Sequence, residues 1–435
     1  MKHKPYPKYK PSGVEWLGDV PEHWEVKRLK MAAQLTDKKV EADEENPVPY
    51  IGLESIESWT GRLLSINPDV VPTGTANAFK SGHTLFGKLR PYLAKACNPD
   101  FDGLCSTELL VLNGVEFDRD SLRYVLLSDG FIKLVDSSTY GSKMPRASWD
   151  FIGNCVLPIP PPPEQRAIAA FLDRETGRVD RLVAKKRELI ERLKEKRTAL
   201  ISRTVTRGLP PAAARAAGIP ENPPLKPSGL DWLGDIPAHW EVKRLKFTLK
   251  ERLQYGANES SEIDDTDLPR YVRITDIDER GRLRPETFRS LPVEIAQDYF
   301  LEAGDMLFAR SGATSGKTFL YRREWGMCAY AGYLIRARLD QRKIVPQFLR
   351  HFTDSSHYWQ WLSSSLIQAT IQNVSAEKYA DLALPLPPLP EQAAIAAVLS
   401  DMDAEIEALE QRRAKTADIK QAMMQELLTG KTRLV

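Results

Sequence analysis

Cationic, aromatic, hydroxyl and amide side chains gather at two places in each half of the sequence, a mixture suited to gripping nucleic acid. In LFGKLRPYLAK, Lys88, Arg90, Tyr92 and Lys95 combine charge with an aromatic ring, apt for phosphate contacts and for stacking along a groove edge. In RSGATSGK, Arg310, Ser311, Thr314 and Lys317 sit among small residues that let the backbone approach a phosphate or base edge. The same letters also spell a strand end and a turn with solvated charges. The second place is GSKMPRASW, with Lys143 and Arg146, and its counterpart IQATIQNVS, with Gln368, Gln372 and Asn373. Arg and Lys favour guanine acceptors, whereas Gln and Asn can bond adenine bidentately, so the exchange is one that two divergent readers could use. A surface loop and a helix face account for these letters equally, and no base is assigned.

Two further runs imitate catalytic motifs. GATSGKT from Gly312 has three residues between its glycines where a phosphate-binding P-loop needs four, and the first half has KLRPY instead. Asn222-Pro223-Pro224-Leu225 lacks the aromatic of an adenine methyltransferase motif and lies in a linker. The six histidines form no triad with Ser or Cys, and the four cysteines show neither a CxxC pair nor zinc spacing. Asp264 and Asp265 are expected to face solvent. No catalytic residue, metal or cofactor is expected in the chain itself.

These residues must be positioned by a chain of 435 residues, 42% hydrophobic and 28% charged, enough for one or more sizeable cores. A net charge of +2 means that any nucleic-acid binding rests on local patches. The start, Met1-Lys2-His3-Lys4-Pro5, has no apolar run, and no stretch approaches a membrane span, so a reduced cytoplasmic protein is expected. The unusual count is 31 prolines.

The chain is written twice. KPSGVEWLGDVPEHWEVKRLK from Lys10 returns as KPSGLDWLGDIPAHWEVKRLK from Lys226, and LPIPPPPEQRAIAAFLD from Leu157 returns as LPLPPLPEQAAIAAVLSD from Leu384. His23-Trp24 and His239-Trp240 belong to this shared frame, with packing of each body's start as the expected role and a subunit-docking surface as the alternative. Between the shared blocks only an echo persists, YIGLESIES from Tyr50 against YVRITDIDE from Tyr271. Runs at Thr84 to Phe86, Glu108 to Leu112, Tyr271 to Ile274, Met306 to Phe308 and Tyr333 to Ala337 read as strands. Ser121 to Val135 and Pro346 to Leu362 read as helices, making each body mixed α and β.

After each proline block the pattern becomes a helix of about 40 residues, roughly 60 Å long at 1.5 Å per residue. Pro163 and Pro390 fit the first turn, where amides have no intrahelical acceptor. Leu172, Val179, Leu193 and Leu200 share one seven-residue register, with Leu182 and Leu189 in the other. In the second helix Ile395, Met402, Leu409 and Met423 repeat by seven, with Leu399, Ile406 and Leu427 in the partner register. The simplest partner for each seam is the other helix, antiparallel; helices of other subunits are the alternative. The first helix carries thirteen basic and seven acidic residues between Glu164 and Arg207, which suits either proximity to nucleic acid or a solvated face with salt bridges. The expected order is a first body at 1–160, a helix at 161–208, a Pro/Ala-rich linker at 209–226, a second body at 227–387 and a second helix at 388–435.

The paired WLGDVPEHWEVKRLK and WLGDIPAHWEVKRLK openings, the PPPPEQRAIAAFLD and PPLPEQAAIAAVLSD helix starts and the LKEKRTALISRTVTRGL ending at Leu209 resemble the specificity subunit of Type I restriction-modification systems over nearly the whole chain. LFGKLRPYLAK and DMLFARSGATSGK look like two variants of that family's target-recognition domain. The resemblance implies an α+β fold: two mixed target-recognition domains separated by two long helices in an antiparallel coiled coil, a pseudo-two-fold repeat. It implies a non-catalytic subunit in which each body reads half of a bipartite, asymmetric site on double-stranded DNA. The helices would set the gap and carry two modification subunits, which hold S-adenosylmethionine and methylate adenine. Restriction subunits would use ATP and magnesium. A stand-alone two-headed DNA-binding or adaptor protein is the competing reading.

Overall fold

The computed structural model describes residues 4–41, 48–64, 66, 74–141, 143–260, 262–278, 280–367 and 373–434. The chain forms two compact units, Met1–Glu188 with Glu410–Val435, and Leu189–Leu409. Both boundaries fall inside the long helices, Pro162–Arg207 and Leu389–Leu428. Each unit therefore contains one body, the start of the helix that follows it and the end of the other helix. Among the described residues no helix is long and apolar enough to cross a membrane.

In the first unit Tyr9–Pro11 pairs antiparallel with Asp19–Pro21, and Glu25–Arg28 with Val156–Ile159. A four-stranded antiparallel sheet runs in the order Ala33–Leu35, Leu109–Gly114, Thr84–Gly87, Ala96–Cys97. Another joins Lys39–Glu41, Thr75–Phe79, Gly103–Cys105 and Tyr50–Ile51, the last pair parallel. The second unit repeats the plan: Leu225–Pro227 with Asp235–Pro237, Glu241–Arg244 with Ala383–Leu386, and a sheet ordered Gln254–Tyr255, Leu334–Ala337, Met306–Ala309, Thr318–Leu320. The sequence echo is structural too, since Tyr50–Ile51 and Arg270–Val272 are both parallel-paired strands followed by a 3-10 turn.

Each single helix expected within a body is two. Arg119–Leu126 and Asp129–Ser137 break at Ser128, and Pro346–Thr353 and Ser356–Ile367 break at Ser355. The buried Ser128 and Ser355 hydroxyls donate to the carbonyls of Val125 and Phe352 at 2.7 Å, taking acceptors a continuing helix would use. The 209–226 segment is more than a linker. It contains a helix, Pro211–Ala216, and buries Leu209 and Ala214 in the second unit's core.

The duplicated Glu-Gln at each helix start is a latch. Gln165 accepts from the Asp118 amide at 2.7 Å and donates to the carbonyls of Glu116 and Pro160 at 2.8 Å. Gln392 accepts from the Val345 amide at 2.8 Å and donates to Lys343 and Pro387 at 3.1 and 2.8 Å. Asp118 and Val345 are the N-caps of the first helix in each body's helix pair, so one buried amide fixes that helix to the long one. The preceding Glu holds the opening. Glu164 meets His23 Nε2 at 2.6 Å and accepts from Trp24 Nε1 at 3.1 Å and Tyr6 Oη at 2.8 Å, and Glu391 meets His239 Nε2 at 2.8 Å. Burial opposes ionisation of Glu164, but the bonds from His23, Tyr6 and Trp24 prevail and hold it below the usual carboxylate range. The other long helix ends against this latch on a left-handed glycine: a Cβ at Gly430 would lie 2.3 Å from Pro21 Cδ, and one at Gly208 would lie 3.3 Å from Glu391 Oε1.

Within each unit the two long helices run antiparallel. Asp180 meets Lys420 and Lys186 meets Thr416 in the first, and Arg197 meets Asp403 in the second. Leu172, Ile395, Leu399, Ile406 and Leu427 are buried in the seam, and Val179, Leu193, Leu200, Met402, Leu409 and Met423 are half-buried. Leu182 and Leu189 are not in it: each is 45% exposed. The second register instead passes through Thr176, Val183, Ile190, Arg197 and Thr204, one residue and so about 100° further round the helix. Lys420, 5% exposed, donates to both Asp180 oxygens at 2.7 and 2.8 Å and to the Trp59 carbonyl. Asp180→Ala should cost about 2 kcal/mol, below the roughly 3–5 kcal/mol of a fully buried broken pair because Asp180 is itself partly exposed. Urea titration should show Lys420→Met with Asp180→Leu recovering most of it; equal losses in single and double variants would contradict the unpaired-charge account.

Candidate nucleic-acid interface

In each unit the two candidate segments, far apart in sequence, lie side by side on one backbone bridge. In the first, Leu89 bridges Arg146, the Lys88 carbonyl accepts from the Ala147 amide at 3.0 Å, and the Lys88 amide donates to Glu108. In the second, Ser311 bridges Asn373, the Arg310 carbonyl accepts from Val374 at 2.8 Å, and the Arg310 amide donates to Tyr333. Lys88 thus corresponds to Arg310, Glu108 to Tyr333 and Arg146 to Asn373. Lys95 and Lys317 correspond as well, each carbonyl accepting at 2.8 Å from the last residue of the preceding strand, Gly87 or Ala309.

The side chains on this common bridge differ. Arg146 is paired with Glu108, Nε at 3.1 and 3.2 Å and Nη2 at 2.9 Å. Arg90 is exposed, donates to the Lys143 carbonyl at 3.3 Å and has φ of 51°. The second body has Gly312 there, at 72°. Among the described residues, the non-glycine positive-φ positions are Trp59, Arg90 and Ala94, and the Trp59 amide donates to the Ala94 carbonyl, so the backbone strain gathers around the 88–95 loop. Tyr92, Tyr140 and Met144 stand exposed around it. Lys95 turns inward, donating to the Leu53 carbonyl at 2.5 Å, and burial lowers its pKa against the pull of Glu54. It is therefore committed to the fold, and Lys143 and Tyr92 are the freer groups.

In the second body Arg310 Nε meets Asn373 Oδ1 at 3.4 Å, and its guanidinium carbon lies 4.7 Å from the Tyr255 ring centroid. The Thr314 hydroxyl donates to the Ser311 carbonyl. Lys317 is exposed and lines a cleft of about 310 Å³ with Thr318, Arg350 and Trp359. Gln368 and Gln372 lie outside the described residues. Tyr333 is 67% exposed beside Arg310, with Tyr255 and Trp359 also exposed. Glu108, Tyr255, Tyr333 and Trp359 escaped the sequence reading, because a carboxylate or a strand-end tyrosine carries no motif of its own. The P-loop look-alike forms a 3-10 turn at Gly312–Thr314, in which Lys317 donates its amide to Thr314. Among the described residues no cluster of three His, Cys, Asp or Glu could hold a metal.

A family profile described as Type I restriction modification DNA specificity domain matches residues 252–417. The Escherichia coli Type I restriction enzyme EcoDI specificity subunit is 28% identical over 162 residues, which cover 36% of each chain. The Methanocaldococcus jannaschii Type I restriction enzyme MjaVIII specificity subunit is 24% identical over 462 residues, covering 95% of this chain and 94% of its own. A chain from a solved structure, described as concerning complex assembly and conformational transition of the type I R-M system, shares the fold. It has a TM-score of 0.58 at 21% identity and covers 94% of this chain and 98% of its own.

Proposed function

We propose that the chain belongs to the specificity-subunit family of Type I restriction-modification systems and is the non-catalytic DNA-addressing subunit of such a complex. Each body reads one half of a bipartite site on double-stranded DNA. The observation that carries this reading is one bridge with two chemistries, Lys88, Glu108 and Arg146 against Arg310, Tyr333 and Asn373, on otherwise duplicated frames. Repeated latches and helices offer equivalent seats to two identical modification subunits, and diverged bridges suit different sequences. Leu182 and Leu189, exposed on the first helix, are available to such partners. Methyl transfer with S-adenosylmethionine, and cleavage with ATP and magnesium, belong to partner subunits.

The test is assembly with a modification subunit followed by methylation mapping in a host with and without this chain. The complex should methylate a split sequence, and the isolated chain should show no methylase, nuclease or ATPase activity. Exchanging the 310–317 loop should change one half-site only; simultaneous change of both would defeat the two-reader account. Intrinsic adenine methylation by the chain alone would overturn the reading. Failure of any modification subunit to co-purify would favour a stand-alone two-headed adaptor.

A further inference from the structure

We propose that each body reads a guanine through one buttressed arginine, Arg146 in the first and Arg310 in the second, carried on opposite partners of the same backbone bridge. The inference rests on the DNA-reading function proposed above and names the groups that do it. Arg310 is fixed on two sides: Asn373 takes its Nε, and its guanidinium lies over the Tyr255 ring, which is itself held by the Ala376 amide donating to Tyr255 Oη at 3.0 Å. Among the described residues the two Nη groups of Arg310 have no acceptor, so its end-on fork is left for a ligand. Arg146 has the same state by another route, its Nε and one side of Nη2 occupied by Glu108 and its Nη1 end free, with the side chain 40% exposed.

An end-on guanidinium fork matches the O6 and N7 acceptors of guanine in the major groove, and a side chain held in place beforehand loses little freedom on binding. Phosphate is the weaker match. A phosphate contact needs charge and little orientation, yet Glu108 sets a carboxylate against Arg146, which cancels charge while fixing direction. The roles are swapped between bodies: the position of Arg146 is Asn373 in the second, and the position of Arg310 is Lys88 in the first. The two forks therefore leave the bridge from different strands, which lets one frame address different base steps.

The test uses the full chain assembled with its modification subunit on a randomised duplex library, with the bound fraction sequenced. Arg310→Met keeps the aliphatic stem but removes the fork. It should reduce preference for guanine at one position of one half-site roughly 5- to 150-fold and leave the other half unchanged. Arg146→Met should do the same in the other half. Replacing the identified guanine by 7-deazaguanine should weaken the wild-type complex and not the Arg310→Met complex. Tyr255→Ala should blunt the preference, and Tyr255→Phe, which keeps the ring but loses its tether to Ala376, should blunt it less, which keeps the test open if an arginine variant fails to assemble. Uniform weakening across all sequences would assign these arginines to phosphates and overturn the proposal, as would unchanged preference. A wild-type complex with no sequence preference at all would overturn the function itself.

Discussion

Gln392→Glu is expected to cost the second unit about 4 kcal/mol at neutral pH, although it changes one atom. Gln392 is fully buried and uses its whole amide, accepting from Val345 and donating to the carbonyls of Lys343 and Pro387. A glutamate keeps the acceptor and loses both donors, leaving two buried carbonyls unpaired at about 1–3 kcal/mol each and facing an ionised carboxylate. The direction with pH follows. Burial against two carbonyl oxygens raises the folded-state pKa of the new carboxyl above its unfolded value of about 4.3, so the penalty is full at neutral pH and shrinks as pH falls through the folded pKa. Hydrogen exchange should report it, with protection in peptides covering 343–399 falling roughly a thousandfold relative to the unsubstituted chain. Gln165→Glu should do the same to the first unit, where Gln165 makes the equivalent three bonds. A change below tenfold would mean that the latch is not what joins body to helix.

Much of this arrangement was legible because duplication marks frame residues by their recurrence. The PPxxEQ starts, the His-Trp openings and the two long helices all stand out by that criterion alone. What recurrence does not convey is which partner each residue meets. Gln165 and Gln392 look like ordinary helix-surface amides until the body folds back over them. Leucine spacing misled at Leu182 and Leu189, because Arg197, Lys420, Thr176 and Thr204 occupy seam positions that a search for apolar heptads passes over. The two candidate segments of each body were found separately, but their adjacency was not, since it depends on bridges joining residues 57 or 62 positions apart, Leu89 to Arg146 and Ser311 to Asn373. Ser128 and Ser355 divide helices that hydropathy alone runs together, an effect of one hydroxyl in each.

Acidification from pH 6.5 towards 4 is expected to take roughly 3 kcal/mol from the second unit through one residue, His351. Its ring is 4% exposed on the Pro346–Thr353 helix, with Nε2 3.2 Å from Ser400 Oγ. Burial pushes its pKa down to about 4; Asp403 and Asp354 pull upward, while Arg197 and Arg350 add to the depression. Those four charges largely satisfy one another, Arg197 bonding both Asp403 and Asp354 and Arg350 bonding Asp354. They therefore cannot compensate a charged imidazole. The unfolded chain binds a proton at this histidine near pH 6.5 and the folded chain near 4, so unfolding takes up a proton between those values and stability falls as pH falls. His357, lowered by burial and by Arg207, acts in the same direction. Asp354 is held below its usual range by Arg350 and Arg197 against the opposing effect of burial, so its own contribution disappears only at lower pH and the windows separate. The first unit supplies an internal control, because Tyr124 fills the equivalent place and bonds Asp173 at 2.6 Å and Thr176 at 3.2 Å; burial raises its pKa and keeps it neutral throughout this range. Denaturant titrations at pH 7 and pH 4.5, read by exchange of peptides from 345–362 and from 119–137, should show the second unit losing much more stability than the first. His351→Gln should remove most of that difference. A pH slope that survives the substitution would place the titration elsewhere than in this network.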